Sequence, residues 1–128
     1  MRNVLAILNK RLVIFSALFI AGLILAYQAY FFLQPSVTLV NKSHYLIEKA
    51  SVTLPNSHLN FGDIAPNNIN TIYYALAQQD GEYHYRIELG ESVNTEVSGA
   101  CGYVTHSEYH KRVDIVFTAD LAVQCYFR

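Results

Sequence analysis

The sequence predicts an all-β domain, an antiparallel β-sandwich of about seven short strands, preceded by one N-terminal transmembrane α-helix. Three observations carry this. Residues 12–33 form an uncharged apolar stretch of 22 residues. Beyond it, apolar and polar residues alternate with period two in several short runs as far as Phe127. Turn signals recur between those runs, and no helical periodicity intervenes.

Composition narrows the class. The chain has 128 residues, of which 52% are hydrophobic and 15% charged, with a formal net charge of −1. An average soluble domain is roughly 25% charged. A disordered chain needs low hydrophobicity and high charge, and a free nucleic-acid binder needs a surplus of Lys and Arg. Both are excluded. Two cysteines allow one bridge at most, so this is no disulfide-dense scaffold.

The apolar stretch has the length of a membrane span. At about 1.5 Å per residue it reaches roughly 33 Å, against a hydrocarbon core of about 30 Å. Tyr27, Tyr30, Phe31 and Phe32 gather at its C-terminal end, where interfacial aromatics belong. Arg2, Lys10 and Arg11 precede it with no acid, and Lys42 is the next cation. The positive-inside rule then makes residues 1–11 a basic cytoplasmic stub, 12–33 the transmembrane helix and 35–128 the outer domain. The expected location is a bacterial inner membrane with the domain in the periplasm. That outer part holds six Lys and Arg against ten Asp and Glu, so it is mildly acidic.

A cleaved signal peptide would have an apolar region of about 7–15 residues and small residues at −3 and −1. Cutting after Ala29 places Tyr27 at −3, and cutting after Ala26 places Ile24 there. A lipoprotein anchor needs a Cys directly after the apolar stretch, where this chain has Gln34-Pro35-Ser36. A prepilin-like start needs a preceding Gly and an early Glu, where this chain has Lys10, Arg11 and Leu12. An uncleaved anchor is the expectation. Ala17, Ala21, Ile24 and Gln28 fall within about 60° of one another on a helix. Small residues permit close approach of a second helix and a Gln amide can bond across, so this is a candidate docking face. The competing account is that Ala is common in spans and Gln28 lies near the interface. Gly22, Ala26 and Ala29 form a second small cluster elsewhere on the helix.

The strands follow in order. Pro35 ends the helix. Val37, Leu39 and Asn41 oppose Thr38 and Val40. Ala50, Val52 and Leu54 share one face of a second strand, which Pro55-Asn56-Ser57 breaks. Residues 69–77 read as a third strand, and Asp80-Gly81 as a hairpin turn. Tyr83, Tyr85, Ile87 and Leu89 then face inward, with Glu82, His84, Arg86 and Glu88 outward. Gly90-Glu91 is the next turn. Val93, Thr95 and Val97 alternate with Asn94, Glu96 and Ser98. Val113, Ile115 and Phe117 lead to an Ala119-Asp120 turn and a last strand carrying Leu121, Val123, Cys125 and Phe127.

Within this, residues 52–74 contain Val52-Thr53-Leu54-Pro55, then Phe61-Gly62-Asp63-Ile64-Ala65-Pro66, then Asn70-Thr71-Ile72-Tyr73-Tyr74. This stretch, about a fifth of the chain, resembles the middle of small immunoglobulin-like bacterial modules. The resemblance implies an immunoglobulin-like sandwich and no particular activity.

Cys101 and Cys125 lie 24 positions apart, at or beside predicted strands. Outside the cytoplasm they are expected to form a structural disulfide, worth about 3–3.5 kcal/mol by chain entropy. A redox pair would be spaced Cys-x-x-Cys, and copper-carrying assembly factors also use a close pair absent here. His106, Glu108 and His110 are the densest set of potential metal ligands. They number three at most, zinc takes four ligands or three and water, and Lys111 and Arg112 follow directly, so no metal is expected. His84 with Glu82, Arg86 and Glu88 reads as a solvated sheet face rather than an acid–base site. Ser98-Gly99-Ala100-Cys101-Gly102 has the look of a nucleophile motif but reads as a bulge or tight bend before a disulfide cysteine. Asn41-Lys42-Ser43 has the form of a glycosylation sequon, read here as chance.

Ten Tyr and no Trp are present, eight of the Tyr in the outer domain. Tyr73, Tyr74, Tyr83 and Tyr85 suit a core with hydroxyls reaching the surface. The loop over residues 102–112 is the longest unpatterned one. It holds Tyr103, His106, Glu108, Tyr109 and His110 and is the candidate interaction loop.

The functional expectation is a non-catalytic, single-pass accessory or assembly subunit of a larger inner-membrane complex. Its partners would be other integral membrane subunits and the bilayer, with no nucleic acid, small-molecule substrate or cofactor. The alternative is a membrane-tethered periplasmic binding module, such as an immunity or inhibitor protein, acting through its acidic domain and the 102–112 loop.

Overall fold

The computed structural model of the chain describes residues 1–90 and 95–128. It divides into two units, Met1–Leu33 and Gln34–Arg128.

The first unit is one helix, α1 (Arg2–Leu33). It begins well before the apolar stretch, because residues 2–11 contain no Gly or Pro to stop it. Ser16 tolerates the interior by turning its hydroxyl back onto the carbonyls of Leu12 and Val13, at 3.0 and 2.9 Å. The chain leaves the helix immediately before Pro35, which has no N–H with which to continue the ladder. No residue of the helix is buried.

The second unit has eight strands among its described residues, one more than the sequence pattern indicates. They are β1 (Ser36–Asn41), β2 (Ile47–Leu54), β3 (Ser57–Asn60), β4 (Ile69–Tyr73), β5 (Gly81–Leu89), β6 (Glu96–Val104), β7 (Arg112–Phe117) and β8 (Val123–Phe127). They form two four-stranded sheets, ordered β4-β1-β7-β8 and β3-β2-β5-β6. All neighbours run antiparallel except β1 and β7, which are parallel from Ser36↔Arg112 to Asn41↔Phe117.

Both sheets contribute to one core. Val37, Leu39, Val113, Ile115 and Phe117 from the first meet Ile47, Val52, Tyr83, Ile87 and Val104 from the second. The alternation read in β1 and β5 is the alternation found. In β2 it slips once: Ile47 pairs with Leu89 and Lys49 with Glu88, so Glu48 is an extra residue. That bulge lets Ile47 and Ala50 both point inward although they are three apart.

Three sequence readings need correction. The strand expected over 69–77 ends at Tyr73, because the chain then leaves the first sheet. Asp80-Gly81 is not a hairpin: β4 and β5 lie in different sheets, and residues 74–80 cross between them. Pro55-Asn56 is not merely a break but the turn of a tight β2–β3 hairpin, with Leu54 paired to Ser57. The Gly90-Glu91 turn and the Val93/Asn94 alternation fall partly on residues 91–94, outside the described residues.

The two long sides of the domain are closed differently. On one, edge strands β6 and β8 are joined by Cys101 and Cys125, whose sulfurs stand at disulfide distance with Cα atoms 6.4 Å apart. On the other, residues 61–68 pass from β3 to β4. Buried Phe61 and Ile64 close that side, and Ile64 exchanges both backbone hydrogen bonds with Ile47, at 3.0 and 2.8 Å. The Asn70 amide donates to the Phe61 carbonyl at 3.0 Å.

Candidate functional site

The candidate interaction loop is shorter than the sequence indicates. β6 extends to Val104, so Tyr103 is an exposed strand residue and the loop proper is 105–111. A bulge places Tyr103. From Gly81 to Tyr83 β5 advances two residues, while β6 advances three between Cys101 and Val104. Gly102 has φ +65°, and a Cβ there would lie 1.9 Å from the Phe127 ring, so glycine is required twice over. The bend expected before Cys101 is not there: Ser98, Gly99, Ala100 and Cys101 pair in regular register with Arg86, Tyr85, His84 and Tyr83, and the bulge follows the cysteine.

The loop is held by Glu108. One carboxylate oxygen accepts the Thr105 N–H, and the other lies 2.6 Å from Lys111 Nζ. Lys111 also donates to the Tyr103 carbonyl and sits over the Tyr83 and Phe127 rings, at 5.3 and 5.6 Å from their centroids. Ser107 N donates to the Leu76 carbonyl at 3.1 Å. Partial burial alone would raise the Glu108 pKa. Hydrogen bonds from Lys111 and from the Thr105 N–H outweigh it and hold the carboxyl below the usual carboxylate range.

This anchoring supports an unusual backbone. Ser107 and His110 both adopt left-handed conformations, at φ 60° and 55°. Non-glycine residues persist there when surrounding contacts over-determine them. His106, Tyr109 and His110 are left on the outside, with Tyr109 61% exposed. Glu108 is thus committed inward while the two histidines are outward, so the three do not converge. Among the described residues no group of three or more His, Cys, Asp or Glu is placed to hold a metal.

Beneath the loop lies a feature the sequence reading missed. Tyr74 and Tyr83 are buried, and their hydroxyls bond each other at 2.7 Å rather than reaching the surface. Burial raises both pKa values; their hydrogen bond raises that of Tyr83 further and lowers that of Tyr74. Tyr73, its neighbour, is exposed.

The other candidates resolve simply. Arg86 pairs with Glu88 at 3.2 Å and with Glu96 at 3.0 Å on the outer face of the second sheet. These exposed ion pairs flank a groove of about 390 Å³ lined by Lys49, Ser51, His58, Asn60 and Glu88. His84 stands on the same sheet, exposed. On the helix, Ala17, Ala21, Ile24 and Gln28 are all exposed.

Asn41-Lys42-Ser43 has a structural role. Asn41 is fully buried; its amide donates to the carbonyls of Tyr45 and Ile64 at 2.8 and 3.0 Å. Its Oδ1 accepts from Ser43 N and Oγ at 3.0 and 2.6 Å. This knot fixes the β1–β2 loop. Gln78 does similar work on residues 55–57: its Oε1 accepts the Asn56 N–H, and its Nε2 donates to Ser57 Oγ.

No known protein family matches this sequence, and no curated protein does. Among solved structures the chain is similar to one described as the NMR structure of the protein from Eubacterium rectale. The two share 13% identity over 73% of this chain and 86% of that one, with a TM-score of 0.51. At that identity the likeness is one of fold alone. The class the structure defines is an apolar N-terminal helix followed by a two-sheet β-domain.

Proposed function

We propose that the protein is a non-catalytic, single-pass accessory or assembly subunit of a larger membrane protein complex. The observation that carries this is α1: a helix long and apolar enough to cross a membrane, none of whose residues is buried. In this reading lipid and the helices of other subunits cover it, with Ala17, Ala21, Ile24 and Gln28 as the docking face. The membrane is a bacterial inner membrane. The Arg2, Lys10 and Arg11 end lies in the cytoplasm and the β-domain in the periplasm. We read the β-domain as immunoglobulin-like, which two four-stranded sheets over one core support.

The test is purification of the tagged full-length chain in mild detergent, with mass spectrometry of what accompanies it. A stoichiometric set of membrane subunits is expected. Replacing residues 12–33 by an unrelated poly-Leu span should release them; retained association would refute helix docking.

A second reading, a membrane-tethered binding module such as an immunity or inhibitor protein, has one observation in its favour. The 105–111 loop is held in a strained, pre-formed shape with Tyr109 presented outward. That reading predicts that the full-length chain purifies alone and captures a soluble partner, and that Tyr109→Ala abolishes the capture.

A further inference from the structure

The domain's aromatic residues are unevenly distributed. β1 begins at Ser36, and Ser36 pairs with Tyr73 at the end of β4 and with Arg112 at the start of β7. β8 ends beside that point at Phe127, paired with Val113, and β6 ends at Val104 beside Gly81. One end of the domain therefore gathers the close of β4, β6 and β8, the 105–111 loop, and Gln34, through which the chain arrives. Among the described residues, the exposed aromatic side chains of the domain are Tyr45, Tyr73, Tyr103, Tyr109, Tyr126 and Phe127. All but Tyr45 lie at this one end. Tyr45 is on the β1–β2 loop at the opposite end.

The cations there are engaged. Lys111 is on Glu108, Arg128 is 3.1 Å from Asp114, and the Arg112 guanidinium donates to the Gln34 carbonyl. What this end offers is aromatic area with hydroxyl tips and little uncommitted positive charge. Tyrosine of this kind is favoured at the headgroup level of a bilayer, where one part of the ring is apolar and the other wet.

We propose that this end of the domain is a lipid-contact surface, with Tyr103, Tyr109 and Phe127 seated among phospholipid headgroups. The proposal rests on the membrane reading of residues 12–33. It gives the 105–111 loop an occupant different from a soluble partner. Because aromatic burial and not charge drives the contact, it forms on zwitterionic lipid and survives added salt.

The chain has no Trp, so a single introduced Trp reports alone. Full-length Y103W, Y109W and Y45W are reconstituted into phosphatidylcholine vesicles, with and without bromine on the acyl chains near the headgroup. All three positions are exposed, so the fold is retained. The expected result is bromine quenching at least severalfold stronger for Y103W and Y109W than for Y45W, unchanged by salt. Quenching of Y109W no stronger than that of Y45W overturns the proposal, and so does quenching that appears only when anionic lipid is added. Flotation of the protein with the vesicles is scored first. A chain that does not float overturns the membrane reading together with this proposal. A chain that floats without selective quenching overturns this proposal alone and returns the loop to a protein partner.

Discussion

The two long sides of the β-domain solve the same problem by different means. Two stacked sheets leave open edges that must be closed. Between β6 and β8 the closure is covalent and local, one cysteine pair with a glycine bulge beside it. Between β3 and β4 it is made by the chain itself, with Phe61 and Ile64 buried in a crossing that still hydrogen-bonds to β2. The difference teaches where each closure draws its stability. The crossing acts through native burial, so its contribution scales with the atoms it hides. The bridge acts largely by restricting the unfolded chain, so its contribution is present even where the native contacts are thin.

The comparison is broken most severely on the crossing side. Phe61→Ala should destabilise the domain by about 3–5 kcal/mol, as large-to-small changes of buried aromatics do, read as a lowered denaturation midpoint in urea. Removing the bridge with C101S/C125S should cost about 3 kcal/mol on the chain-entropy account. A double cysteine variant as stable as the parent would show that native contacts alone hold β6 to β8. Gly102→Ala should cost about 1–3 kcal/mol, from the left-handed backbone and from displacing the Phe127 ring. Placed in the C101S/C125S background its cost should shrink, because β6 and β8 can then part to relieve it; an unchanged cost would show that the two are independent. The smallest effect concerns Glu108. Its folded pKa is depressed, so its contribution is present above the unfolded value of about 4.3 and is lost as pH falls through the folded one. The protection factor of the Thr105 amide, its exchange rate relative to an unstructured amide at the same pH, should fall over that acid range while those of the β1 and β7 amides stay high. In Glu108→Gln the Thr105 amide should exchange faster already at neutral pH.

Much of this architecture was legible residue by residue. Alternation marks β1, β2 and β5 because each buries one face, and the cysteine pair is legible because both cysteines fall at or beside alternating runs. β3 was not: Ser57-His58-Leu59-Asn60 offers one buried residue, Leu59, too few for a period. The crossing at 74–80 was hidden because Asp80-Gly81 carries the local chemistry of a hairpin, whereas sheet membership is decided by distant pairing. At the candidate site, the outward tyrosines and histidines of the loop were visible. The role of Glu108 was not, since its partners are a backbone N–H and a lysine chosen by tertiary packing. Asn41 and Ser43 could have been found. An Asn closing a strand with Ser two residues on is the pattern of a side chain capping its own turn.

The parallel pairing of β1 with β7 has a consequence for how the chain is made. β1 is the first strand to follow the helix, and it lies between β4 and β7 in its sheet. Its partner at Ser36 is Arg112, most of the domain later. During synthesis from the N-terminus, Val37 and Leu39 must wait for nearly the whole domain to emerge before the ladder beside them can close. Loop-closure entropy on that scale makes such pairings slow. The nascent domain thus spends its longest interval with its central strand half-zipped, in reach of any chaperone that binds extended apolar chain.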